Sequence, residues 1–243
     1  MMRIALVSVL LASLAGGAHA QETDDQEKFN AMLLTALKEN PEILREGVLA
    51  LQSLAKREKM EQQASLVARQ SDALYRNSTD PVLNASGTVP MVEFFDYRCG
   101  ACKAVANDIK TLATTDKRVK MIYKDVAILG PESEKLAKIA IAVNQLAPNS
   151  YPAFHSELMG MSGASEAGAY QLASLLGIDI KELKKTAASQ AVKNKLDENN
   201  ALFQALNLRG TPSIFVGDQL FPGVVSLNTL KGQVNIEEKD NKS

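Results

Sequence analysis

The stretch Val92-Glu93-Phe94-Phe95-Asp96-Tyr97-Arg98-Cys99-Gly100-Ala101-Cys102-Lys103 decides how this 243-residue chain is read. Residues 89–95 form an apolar run that predicts a buried strand, and residues 103–112 predict a helix. A C-x-x-C pair at a strand-to-helix junction puts Cys99 at a helix N-terminus. Unpaired backbone N–H groups and the helix macrodipole favour a thiolate there. The sequence has only two cysteines, so neither has another partner. The pair is a redox couple, half of a metal site, or a small structural staple.

The first twenty residues bear on that choice. Met1-Met2-Arg3, an apolar stretch over residues 4–17 and Ala18-His19-Ala20 have the layout of an export signal with an A-x-A cleavage site. The apolar stretch is shorter than the roughly 20 residues a bilayer span needs. Cleavage is expected after Ala20, giving an exported, soluble product that starts at Gln21. Outside the cytosol a thiol pair meets oxidising conditions. A vicinal pair closes too small a loop to restrict the unfolded chain much, and a chain of this size can build a core without disulfides. The staple reading is therefore weak. Losing Arg3 leaves 26 basic against 28 acidic residues, a formal net of −2. That balance gives no sign of a nucleic-acid partner.

The chain divides as follows. Residues 1–20 are the signal and 21–79 a helical arm and spacer, helical over 26–75. Apolar residues such as Phe29, Leu33, Ile43, Leu44, Val48 and Leu51 recur at helical spacing, with a break at Asn40-Pro41. One amphipathic arm cannot bury its own apolar face, so it packs on its own domain or on another copy of the chain, as a dimer or trimer through residues 26–75. Residues 80–130 then give strand, helix, strand: a short strand at Val82-Leu83, the strand before Cys99, its helix, and an alternating strand over 119–126. Residues 131–207 read as helices throughout. Residues 208–236 return to sheet with a hairpin, Ser213-Ile214-Phe215-Val216, Gly217-Asp218, Gln219-Leu220-Phe221, then a helix over 226–234. Residues 237–243 read as a disordered charged tail.

A βαβ unit, a helical insert and a later ββα unit, with C-x-x-C at the first strand-to-helix junction, is a thioredoxin-fold layout. The expected class is α/β: a thioredoxin fold with an inserted helical domain, preceded by an N-terminal helical oligomerisation arm. On residues 92–103, the insert and Gly210-Thr211-Pro212, the chain resembles the DsbA family of exported thiol–disulfide oxidoreductases. Asn40-Pro41-Glu42-Ile43-Leu44 in the arm further resembles the branch with ScsC-type and Com-type proteins, several of which self-associate through such an arm.

The resemblance implies a periplasmic protein disulfide oxidoreductase or isomerase. It would act on cysteine-containing exported proteins, be reset by a membrane-bound redox partner, and need no cofactor beyond a redox-active Cys99–Cys102 disulfide. Cys99 is expected to be the exposed nucleophile and Cys102 the buried resolving thiol. Gly100 and Ala101 bring no charge or hydrogen-bonding side chain where the strongly oxidising relatives usually carry a histidine, which favours isomerase or reductase character over the oxidase alternative. Glu93 stands where the family keeps a buried acid. It is either a proton relay for the thiols or the partner of Lys124 on the next strand. Asp96, Tyr97 and Arg98 shape the site's entrance or form a solvated loop. Thr211-Pro212 is expected to be a cis peptide lying against the disulfide, with the Thr211 backbone pairing an extended substrate; Thr at this site is a further pointer to reduction or isomerisation.

A zinc site is disfavoured because His155 alone remains beside the pair once His19 leaves with the signal. His155 itself is expected to be packed or to cap a helix. A copper-tolerance protein binding Cu(I) through the reduced dithiol is the alternative from another class.

Overall fold

The computed structural model describes residues 16–240. Most of the expected export signal, residues 1–15, and the last three residues lie outside the described residues. The chain forms two compact units, one up to Met60 and one from Glu61 onward.

The first unit contains α1 (Gly16–Glu39) and the start of α2 (Pro41–Arg69). Pro41 has no N–H to donate, which suits it to the first helical position. Asn40 ends α1, its N–H and its side-chain amide both donating to the Ala36 carbonyl at 3.0 and 2.9 Å. Phe29, Leu33, Ile43, Leu44, Val48 and Leu51 are all about half exposed or more.

In the second unit α3 (Ser71–Tyr75) precedes β1 (Val82–Leu83), β2 (Val89–Phe95), α4 (Gly100–Thr115) and β3 (Val119–Asp125). The helical insert follows: α5 (Pro131–Leu146), a single 3-10 turn, α6 (Tyr151–Gly160), α7 (Glu166–Leu175), α8 (Ile180–Ala187) and α9 (Gln190–Ala205). Ser165, Asp179 and Ser189 cap the last three, each side chain accepting an N–H from the first turn. The chain ends with β4 (Ser213–Val216), β5 (Gln219–Pro222) and α10 (Leu227–Asp240). The strands form one sheet in the order β1-β3-β2-β4-β5. β2 and β3 run parallel, joined by α4, and the other pairings are antiparallel. This is the thioredoxin arrangement with a helical insertion. At the hairpin turn Gly217 takes φ +54°, a left-handed conformation that favours glycine, while the Glu237 carboxylate that a Cβ would meet is the end of a flexible side chain that can move aside.

Register decides which side chains meet. β2 pairs Glu93 with Tyr123, Phe94 with Lys124 and Phe95 with Asp125. Side chains alternate along a strand. Met91, Glu93 and Phe95 therefore share one face with Met121, Tyr123 and Asp125, while Val92 and Phe94 share the other with Ile122 and Lys124. The first face packs on α4, α10 and the insert, with Val105, Ile109, Leu136, Ala140, Phe154 and Leu230 in its core. The second packs on Val67, Leu74, Leu202, Phe203 and Leu206, where Phe94 meets Phe203 and Phe215 edge to face. Both faces are covered, so β2 and β3 are apolar on both sides.

Two features differ from the sequence reading. Residues 61–79, expected as part of the arm and spacer, belong to the second unit, because Val67 and Leu74 are wholly buried there. The tail expected to be disordered from Glu237 continues α10 to Asp240, with Glu238 ion-paired to Arg118. Charge alone does not mark a segment as irregular when a cation waits on the body.

Lys124 emerges on the second face. Its ammonium bonds the Asp80 carboxylate and the Ala73 carbonyl, and Lys195 of α9 bonds the same carboxylate. All three side chains are 5% exposed or less. Asp80 thereby ties β3 to α9, and Lys124 extends the tie to α3 through the Ala73 carbonyl. Asp80→Asn strands two buried ammonium groups and is expected to cost about 3–5 kcal/mol in urea unfolding. A loss below about 1 kcal/mol would contradict the role given to this cluster.

Candidate active site

Cys99 is the N-cap of α4, with extended backbone angles of φ −74° and ψ 116°. Its sulfur accepts the Cys102 backbone N–H at 3.4 Å, and its thiol faces the Thr211 carbonyl oxygen at 3.2 Å. Both cysteines are free thiols, Cys99 partly exposed and Cys102 buried. The strand-to-helix junction is what separates them: the cap position opens to solvent, while one turn later the helix turns its side chain into the core.

Their acidities differ accordingly. Partial burial pushes the Cys99 thiol up, but hydrogen bonding from the Thr211 side chain, Cys102 and the Ala101 backbone outweighs it and leaves it below the ordinary cysteine value. Burial holds the Cys102 thiol far above that value, and the Glu93 charge adds to the rise. One sulfur is ready to attack and the other is kept as a thiol.

Thr211-Pro212 is a cis peptide, and it brings the later half of the sheet against the cysteines. Gly100 is exposed and Ala101 half-buried at the mouth of the site. Glu93 is 1% exposed, and its Oε1 atom has no hydrogen-bond partner. It is not paired with Lys124, because register places the two on opposite faces and Asp80 takes the lysine. Burial, with the Cys99 and Asp125 charges adding, pushes the Glu93 carboxyl up to about 8.

The loop before Cys99 is held from inside. Asp96 is fully buried, and its carboxylate accepts the backbone N–H groups of Arg98 at 2.9 Å, Ile128 at 3.0 Å and Leu129 at 3.2 Å. It fixes the loop to the segment that leaves β3. Tyr97 is also buried, whereas Arg98 is exposed, so only Arg98 fits the solvated-loop description. His155 is packed: its ring lies among Phe95, Tyr97, Tyr123 and Tyr151, Nδ1 lies 3.2 Å from the Tyr97 hydroxyl, and burial pushes its pKa down to about 3. Among the described residues no group of three or more His, Cys, Asp and Glu side chains could hold a metal ion.

Sequence reasoning missed Asp125, which is 1% exposed on the Glu93 face, its Oδ2 accepting the Tyr151 hydroxyl at 3.3 Å. The signal was there in the alternation of residues 119–125, which puts Asp125 on the same side as Tyr123.

A dithiol with one activated and one shielded sulfur, on a thioredoxin frame, defines a thiol–disulfide oxidoreductase site. The DSBA-like thioredoxin domain matches residues 91–235, and the chain belongs to that family. It is 26% identical to disulfide bond formation protein D of Bacillus subtilis over 172 residues, 65% of this chain and 77% of that protein. Its fold matches the thiol-disulfide exchange protein alpha-DsbA2 from Wolbachia pipientis at a TM-score of 0.69 and 32% identity, over 73% of this chain and 97% of that one. A linker-deletion variant of Proteus mirabilis ScsC matches over 96% of this chain and 99% of its own, at a TM-score of 0.68 and 24% identity.

Glu93 gives the site a pH signature. Its carboxyl ionises near pH 4.5 when exposed and near 8 when folded. Between those values the folded state binds the extra proton, so stability falls as pH rises through the window. Glu93→Gln removes that loss. The variant is expected to match the parent within about 1 kcal/mol at pH 5 and to exceed it by about 2–4 kcal/mol at pH 8.5 in urea unfolding. A difference that does not change with pH would show that Glu93 is already ionised in the folded state.

Proposed function

We propose that this protein is exported to the periplasm and exchanges disulfides in secreted proteins, leaning to isomerisation or reduction, as a homo-oligomer built through its N-terminal helices. The observation that carries the exchange chemistry is the Cys99 sulfur at the cap of α4, facing Thr211, with Cys102 shielded one turn below. The Cys99 thiolate attacks a substrate disulfide, forms the mixed disulfide and expels one substrate thiolate. Cys102 then loses its proton to the Glu93 carboxylate and bonds to the Cys99 sulfur. The bond from Cys99 to the substrate breaks, and the second substrate sulfur leaves as a thiolate. The substrate disulfide is reduced and the protein dithiol oxidised by the same two electrons. In isomerisation a substrate thiolate resolves the mixed disulfide instead, and Cys102 stays reduced.

Two features support the isomerase leaning. Gly100 and Ala101 place no charge beside the thiolate. The apolar residues exposed on α1 and α2 suit a shared helical interface. Several sites around one client raise the effective concentration of thiolate. A separate membrane-bound redox partner would reset the pair. One observation favours the oxidase reading: the lowered Cys99 thiol stabilises the reduced form and so makes the disulfide a better oxidant.

A refolding assay on a scrambled-disulfide protein, run beside a dithiol-oxidation assay, separates the two. Isomerisation is expected to dominate, and faster dithiol oxidation with no unscrambling would establish the oxidase. Cys99→Ala is expected to abolish both activities, and full retained activity would end the exchange reading. Deletion of residues 21–60, which spares the buried Val67 and Leu74, is expected to give a monomer by light scattering with several-fold weaker unscrambling. A full-length mature chain that is itself monomeric would remove the oligomer.

A further inference from the structure

The face of the sheet beneath the dithiol carries two acids rather than one. Glu93 of β2 and Asp125 of β3 are each 1% exposed. Each has one carboxylate oxygen, Oε1 and Oδ1, buried without a hydrogen-bond partner. Glu93 pairs in register with Tyr123, and Asp125 lies two residues further along β3. Strand spacing and rise put their α carbons about 8 Å apart on the same face.

The groups around them do not supply a bound counter-charge. From the active-site loop come Tyr97 and Cys99, from α4 comes Cys102, and from β3 comes Tyr123. From α6 come Tyr151, which donates to Asp125, and His155, which its low pKa keeps neutral. Lys195 of α9 pulls on Asp125 through space, but its ammonium is bonded to Asp80, whose charge opposes that pull. Asn199 of α9 donates to the Asp125 carbonyl, not to its carboxylate. Lys124 points to the other face.

We propose that Asp125 is a positioning residue of the exchange reaction: with Glu93 it forms one electrostatically coupled acid pair, in which ionisation of one holds the proton on the other, and it acts on Cys102 through Glu93. The proposal rests on the reading of Glu93 as the acceptor of the Cys102 proton. Two carboxylates on a dry face do not ionise independently. Once Asp125 is ionised, Glu93 becomes the stronger base and takes the Cys102 proton more readily. Burial raises both groups, Asp125 to about 7 and Glu93 to about 8, with the Cys99 charge and then the Asp125 charge adding to the rise at Glu93.

The test is a titration of the oxidised full chain, whose Cys99–Cys102 disulfide carries no thiolate to add to the Glu93 shift, with carbon-13 in the Glu and Asp carboxyl groups, the Glu93 signal being assigned by its loss in Glu93→Gln. In the parent protein the Glu93 signal is expected to move in two steps. In Asp125→Asn it is expected to move in one, with the midpoint about one pH unit lower. A single step in the parent protein, which needs no variant to fold, would overturn the coupling. So would a midpoint in Asp125→Asn within about 0.2 unit of the parent value. The pH profile for release of a substrate thiol from the mixed disulfide reports the route. Asp125→Asn is expected to shift it to lower pH, but not in a Glu93→Gln background; a shift there would show that Asp125 does not act through Glu93. If the parent protein exchanges no disulfide at all, the reading of the site fails on that assay, while the titration still decides whether the acids are coupled.

Discussion

The contact between the Cys99 sulfur and the Thr211 carbonyl, 3.2 Å across 112 residues of sequence, is the constraint on which the site depends. It forms only if the loop over residues 96–99 carries β2 into α4 and β4 lies beside β2 in one register, Glu93 opposite Ile214. That register requires the whole insert to leave the sheet and return. Stability and chemistry thus share their parts. The core that seats β2 and β4 also holds the nucleophile against the loop that would meet a substrate.

The two faces of β2 and β3 divide the work. On one, Asp80 gathers Lys124 and Lys195 into a buried ionic knot, which makes every cation there a structural group. On the other, Glu93 and Asp125 lie among aromatic rings without an ammonium bonded to either. A lysine one position earlier on β3 would have neutralised Glu93. Tyr123 stands there instead, and the carboxyl keeps its proton into the neutral range. This absence of compensation costs stability at high pH and leaves an acid that can exchange protons with a thiol.

Most of the frame was legible because it is written in period and punctuation. The apolar run over 89–95, the alternation over 119–126, the Gly217-Asp218 turn and the proline at 41 each carry a local physical signal. The C-x-x-C was equally local. What was not legible depends on register or burial of charge. Whether Lys124 meets Glu93 is decided by a one-residue offset between strands, which no single segment encodes. The sequence left Asp96 open between shaping the entrance and sitting in a solvated loop, because nothing local says that three backbone N–H groups from two segments converge on it. The end of α10 and the attachment of residues 61–79 were misread for the same reason: their partners lie far away in sequence.

The site's chemistry depends on the unequal acidity of two thiols one helical turn apart. The most direct test is the ultraviolet absorbance of thiolate in the reduced protein, followed across pH. One thiolate is expected to form with a midpoint below the ordinary cysteine value of about 8.5, and to vanish in Cys99→Ser, while the second thiol stays protonated to about pH 10 or beyond. Two thiols that ionise together in the ordinary range would contradict it.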